Sequence, residues 1–155
     1  MIRSIVDFHQ DDAGDWVAEL DCLHNQHVRH RPPFQNRPWV LDQTGRNAHL
    51  GSEIDCPLCD RAELPDTLSH LRTAGPWDEH TLPQGLQKAH RVPAGTWGRL
   101  RVLEGSVGFC MTTNPPIRVT VIAGAEQAIP PSVPHEVVLN GPVYLLVEFW
   151  GRHDD

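Results

Sequence analysis

Four residues of types that can bind metals fall within nine positions of "LDCLHNQHVRH": Cys22, His24, His27 and His30. Two more, Cys56 and Cys59, follow in "DCPLCD". Thiolate and imidazole are the donors that a tetrahedral Zn²⁺ site uses. The only other cysteine is Cys110, in "SVGFCMT", which reads as a small packing residue. A Cys-x-x-Cys pair can instead be a redox centre, but that use wants a helix start inside a βαβ unit. Here "CPLCDRAELPD" runs quickly into proline and no βαβ pattern surrounds it. Metal binding therefore ranks above redox chemistry and above plain structural thiols.

Two pairs of ligands require two elements to carry them. "IRSIVDFH" reads as a strand, "QDDAGD" as a turn and "WVAELDCLH" as the returning strand. On that second strand Cys22 and His24 share one face by the period of two. With Cys56 and Cys59 they complete a Cys₃His set for a structural zinc. Such an ion offsets a thin core, because its binding free energy is folding free energy. His27 and His30 then remain as surface groups or as hydrogen-bonded neighbours of the site. In the sharper alternative one of them replaces His24, or both hold an anion together with Arg29 and Arg31. The stretch "VRHRPPFQNRPW" is locally basic and aromatic, a pattern that can stack on single-stranded nucleic acid, although a solvated face accounts for it as well.

The composition sets outer bounds. A chain of 155 residues suits one domain or two small ones. Fourteen prolines and twelve glycines favour short strands and many turns over long helices. Ten histidines point again to metals. A net charge of −7 argues against general nucleic-acid binding, which needs a cationic surface. No apolar run is long enough to span a bilayer, and the N-terminus has no signal-peptide pattern, so a cytoplasmic protein is expected. No Ser-His-Asp array, phosphate loop or dinucleotide fingerprint occurs.

The expected division is a Cys/His-rich unit at 1–62, zinc-ribbon-like, and a β-barrel at 66–152, with the join near 61–70. Strands are expected near 86–92, 97–103, 106–112, 117–122, 126–129, 135–139 and 143–150, with one more near 78–82. Seven or eight short antiparallel strands suggest a sandwich or barrel, mainly β overall. "LRVLEGSVGF" reads as a hairpin about Glu104-Gly105.

The residues also carry two resemblances. "DWVAELDCLHNQHVRHRPPFQNRPWV" with "DCPLCD" resembles a family of short bacterial proteins of unknown function. That family's pattern has glycine where this chain has Leu23. "KAHRVPAGTWGRLRVLEG" and "IPPSVPHEV…VEFW" resemble the small cupins related to the N-terminal domain of the tellurite-resistance protein TehB, and to YeaR-like proteins. In the cupin motif Ser132 stands at a glycine position and His135 at the histidine. The resemblance implies a cupin-type antiparallel jelly roll in which His90 and His135 meet. With Glu148 as a third ligand they would hold a second divalent metal (Fe, Zn, Ni or Mn), the alternative being a hydrogen-bonded pair of core histidines. Trp97, Arg99 and Arg101 are the accompanying ligand-binding candidates, and the two arginines are also candidate partners for Glu148. Glu136 alternates to the opposite face from His135.

The expected function is a metal-binding cupin that binds or modifies a small molecule or oxyanion, of a tellurite- or stress-resistance kind. The alternatives are a metal-dependent oxygenase-like enzyme, and a non-enzymatic sensor or adaptor whose zinc unit binds a partner. Expected partners are the small ligand and a second copy of the chain in a homodimer, with neither a membrane nor nucleic acid.

Overall fold

The computed structural model describes residues 1–153. The chain forms two compact units, Met1–Pro57 and a second from Leu58 onward. Both are built mainly from antiparallel strands. Among the described residues no helix is long and apolar enough to cross a membrane.

In the first unit, β1 (Ile2–Gln10), β2 (Trp16–Leu20), β3 (Asn25–His27) and β4 (Glu53–Asp55) form a sheet of order β3-β2-β1-β4. Asp11 closes the β1–β2 turn: its carboxylate accepts from the amides of Ala13 and Asp15. A 3-10 turn (Pro38–Leu41) leads into α1 (Gln43–Ala48), where the Asp42 side chain caps the helix by accepting from the Gly45 amide at 2.6 Å. Gly45 is required there, because a Cβ would lie 2.1 Å from the Trp39 carbonyl oxygen. The apolar core of this unit is small: Ile5, Val17, Ala18, Leu20, Val28 and Val40. Arg46 is buried across the Trp16 ring, 3.7 Å from its centroid, and donates to the Val40 carbonyl.

In the second unit, after the short helix α2 (Pro57–Asp60), come β5 (Ser69–Asp78), β6 (Trp97–Met111), β7 (Ile117–Ile122), β8 (Glu126–Ile129), β9 (His135–Val138) and β10 (Val143–Gly151). The sheet runs β5-β10-β6-β7, and β8 and β9 also pair with β6. The first half of β6 lies between β10 and β8, the second half between β7 and β9. The predicted hairpin at Glu104-Gly105 is not formed, and the two strands expected on either side of it are one strand of 15 residues. Gly105 takes φ 74°, and the pairing with β10 shifts register between Tyr144 and Leu145. The irregularity changes which residues face inward. Leu100 and Val102 are buried before it, and Val107, Phe109 and Met111 after it. A side chain at 105 would strike the Pro142 carbonyl oxygen at 2.1 Å.

The cupin-type jelly roll implied by the resemblance is not supported. The strands join in one antiparallel network through β6 as a shared strand. Turn spacing counts strands but does not say which of them pair. The strand expected near 86–92 is a 3-10 turn (Gln84–Gln87) followed by a single bridge between His90 and His135. Residues 79–82 form a turn after β5, not a strand.

Candidate metal centre and the His90–His135 site

β2 and β4 flank β1 on opposite sides, and both reach its N-terminal end. Leu20 pairs opposite Ile5, and Asp55 opposite Ile2. Cys56 follows Asp55 directly, and Cys22 lies two residues beyond Leu20. Cys22 and His24 do not share a strand face, because β2 ends at Leu20. They sit on a tight turn closed by Leu23 N–H to the Leu20 carbonyl (2.9 Å) and Leu20 N–H to the His24 carbonyl (3.0 Å). The Cys56 amide donates to the Met1 carbonyl at 2.7 Å, and α2 carries Cys59.

One donor atom each from Cys22, His24, Cys56 and Cys59 lies within 4.8 Å of the others, and all four residues are buried. Cys22 Sγ and Cys56 Sγ are 3.8 Å apart, and each lies 3.4 Å from His24 Nδ1. A tetrahedral zinc with ordinary bond lengths gives S···S edges of about 3.8 Å and S···N edges of about 3.5 Å. The cluster can therefore hold a metal ion such as Zn²⁺. Among the described residues it is the one such group. His27 and His30 lie elsewhere. His27 Nε2 pairs with Asp11 at 2.9 Å, and that hydrogen bond is the main reason the Asp11 carboxyl lies below its ordinary value. His30 Nδ1 accepts from the Arg37 amide at 3.0 Å.

Leu23 supplies the turn between Cys22 and His24 at φ 73°, a left-handed conformation that costs a branched residue energy and glycine little. Leu23→Gly is expected to stabilise the metal-loaded chain by about 0.5–1 kcal/mol, net of glycine's own entropic cost. Urea denaturation in the presence of zinc measures it, and a loss of stability would refute the strain.

In the second unit His90 and His135 do come together. Their backbones exchange hydrogen bonds of 2.8 and 2.9 Å, and their rings meet edge to face with centroids 5.3 Å apart. His135 is buried, stacks on Phe109 and bonds through Nδ1 to the Val133 carbonyl at 3.1 Å. The carbonyl must accept, so Nδ1 carries the proton and Nε2 is a bare acceptor in the neutral ring. His90 Nδ1 is buried without a hydrogen-bond partner. Both rings border an apolar cavity of about 30 Å³, with Trp77, Leu100, Phe109 and Phe149 among its walls. That volume holds a water molecule or two and no organic substrate.

Glu148 does not join the histidines. It receives Arg99 at 2.9 Å and Arg101 at 3.5 Å, and Glu126 closes the network with Arg99 at 3.5 Å. The register explains this, since Glu148 pairs directly opposite Arg99. A carboxylate held by two guanidiniums is not offered to a metal, so the second metal at this site is not supported. Arg99 and Arg101 are occupied by the same network, and Trp97 is wholly enclosed.

Burial pushes the His135 imidazole below its ordinary value. The Val133 hydrogen bond partly offsets this, and the neighbouring His90 adds to it. His90 is the titratable group that faces it, across an otherwise apolar wall. The folded state then binds fewer protons than the unfolded one once pH falls below about 6.5. Stability is therefore expected to fall as pH drops from 7.5 towards 5, with this residue contributing at most about 1.4 kcal/mol per pH unit. Comparing chemical denaturation of wild type and His135→Gln over that range checks it, and parallel curves would refute it.

Residues 72–147 match the TehB-like domain, and residues 6–63 match a family described as protein of unknown function DUF3565. Two relatives, each a "Probable S-adenosyl-L-methionine-dependent methyltransferase TehB" from Haemophilus influenzae (strains 10810 and KW20 / Rd), are 32% identical over 84 residues. The match takes in 51% of this chain and 29% of each relative, so the chain spans less than a third of their length. The crystal structure of TehB from Haemophilus influenzae superposes with a TM-score of 0.51 at 23% identity, over 57% of this chain and 33% of that one. That shows a shared fold for this part. A crystal structure from E. coli strain K12 aligns over 60% of this chain and 90% of its own, at 20% identity and a TM-score of 0.49.

These matches overturn the functional class expected from the sequence. The relatives are named for methyl transfer, and no cupin or YeaR-like assignment is supported. The readings as a metal-binding cupin for a small molecule or oxyanion, as an oxygenase and as a sensor or adaptor all fall with it. Residues 72–147 are a TehB-related segment, and residues 6–63 match a Cys/His-rich family of unknown function.

Proposed function

We propose that this chain is a working part of an S-adenosylmethionine-dependent methyl-transfer system. The observation that carries the reading is the correspondence of residues 72–147 with the TehB-like domain, together with 32% identity to relatives named as methyltransferases.

The enclosed cavity of the second unit does not fit the methyl donor itself. The cavity beside His90 and His135, about 30 Å³, is far below the size of a nucleoside. Nucleotide-type cofactors of open α/β folds sit at the carboxyl ends of parallel strands, and every described pairing in this sheet is antiparallel. The donor is therefore held by another chain or by another part of a longer one. This chain supplies the β unit that the relatives carry within a single polypeptide. The N-terminal segment through Cys59 is zinc-ribbon-like, fixed by a structural zinc on Cys22, His24, Cys56 and Cys59. Four protein ligands leave that ion no open position for a substrate.

Calorimetric titration with S-adenosylmethionine is expected to give no binding to this chain alone. Added to a truncated Haemophilus TehB lacking its own matched segment, the chain is expected to raise release of S-adenosylhomocysteine over a panel of thiol, amine and carboxylate acceptors. Micromolar binding to the chain alone would place the donor here after all. No association and no change in turnover would sink the methyl-transfer reading.

A further inference from the structure

The outer face of β7–β6–β9 carries a row of three reactive side chains that the methyl-transfer reading does not use. In register, Cys110 on β6 lies directly between Arg118 on β7 and Glu136 on β9. Neighbouring strands are about 4.8 Å apart, so the guanidinium and carboxylate strands stand about 10 Å from each other with the thiol midway. Arg118 is exposed, and Cys110 and Glu136 are half-buried. Among the described residues neither Arg118 nor Glu136 has an ion-pair partner.

The row opens into a groove of about 240 Å³ bordered by Cys110, Arg118 and Glu136. A shallower groove adjoins it along β6 over Gly108, sharing Cys110 and Arg118. Gly108 leaves that floor low, since a Cβ there would press on Val138 at 3.2 Å. The space, unlike the cavity at His135, suits a ligand of several heavy atoms. Its polarity is dipolar: a cation on one side, an anion on the other and a nucleophile between them. The chain's other three thiols are buried in the metal cluster.

We propose that Cys110 is a modification site for small zwitterionic disulfides of the amino-acid or peptide type, with Arg118 taking a carboxylate and Glu136 an ammonium group. The Cys110 thiolate attacks one sulfur of the disulfide. A new S–S bond forms to the protein, the old one breaks, and the departing thiolate takes up a proton. The disulfide is the oxidant, so no other reagent is needed.

The test treats the zinc-loaded full chain with glutathione disulfide and, separately, with neutral 2-hydroxyethyl disulfide, followed by intact mass and peptide mapping. One adduct is expected, on Cys110, and none on Cys110→Ser. Arg118→Ala, an exposed substitution, is expected to slow the glutathione reaction about two- to fivefold and leave the neutral reaction unchanged, as befits one solvent-screened ion pair. Equal slowing or none for both reagents would reduce Cys110 to an ordinary accessible thiol and overturn the site. So would an adduct that lands first on Cys22, Cys56 or Cys59, or the absence of any adduct.

Discussion

Cys56→Ser is expected to strip the chain of zinc and to unfold Met1–Pro57. Wild type purified without added metal should carry one equivalent that survives dialysis. The scale of the effect follows from comparing the two contributions. Fully burying a Val, Leu or Ile side chain contributes about 1.5–3 kcal/mol, and this unit buries few of them: Ile5, Val17, Leu20, Val28 and Val40. Against them stands a backbone ordering cost of about 1–2 kcal/mol for each residue. Segments of roughly 60 residues are marginal on such terms. A Cys₃His zinc contributes an apparent free energy of about 10–16 kcal/mol at neutral pH, which is lost with the metal. A serine hydroxyl does not replace a thiolate as ligand, and the three donors left would hold the ion weakly. Elemental analysis counts the metal, and hydrogen exchange in β1 and β2 reads the fold. A chelator should reproduce the result in wild type. Persistent exchange protection in a metal-free chain would show that the apolar core suffices, and two bound equivalents would contradict the single cluster.

The gathering of Cys22, His24, Cys56 and Cys59 was legible in the sequence, but for a reason that the structure replaces. Period-two alternation put Cys22 and His24 on one face of a strand. They converge instead because the chain turns between them at Leu23. The position where the resembling family has glycine is the one that needs a left-handed residue. The meeting of His90 and His135 was legible too, although the strand expected around His90 is a lone bridge. Glu148 shows what one sequence leaves open. A charge in an apolar strand needs a partner, and arginine stood among the candidates. Only the register, which joins residues 49 apart, selects Arg99. The same non-locality hid the sheet order, since β10 enters between β5 and β6. Gly105 looked like a hairpin glycine because a bulge and a turn make the same demand on φ. The pairing partner distinguishes them, and that partner lies at Val143.

Phe109→Ala is expected to destabilise the second unit by about 3–5 kcal/mol, a fall in Tm of at least about 12 °C. Phe109 is wholly buried, stacks on His135 with centroids 5.7 Å apart, and walls the cavity of about 30 Å³. Truncation removes its apolar surface from the core and enlarges a space that is already present. The enlarged cavity adds its own cost, about 24 cal/mol for each Å³ that does not collapse. Two further consequences separate this from general damage. A small arene such as benzene should occupy the enlarged site and restore part of the Tm, as apolar cavities of that kind do. His135 would also lose the ring that shields it from water. Desolvation is the main cause of its lowered proton affinity, so its titration should move back towards the ordinary histidine value. The acid-side loss of stability should then be shallower than in wild type. Thermal denaturation with and without benzene, together with ¹H–¹⁵N titration of the histidine ring, reads both. A Tm unmoved by the substitution would show that Phe109 is not core. A large loss without benzene rescue and without a titration shift would mean that the cavity collapses and His135 stays dry by other walls.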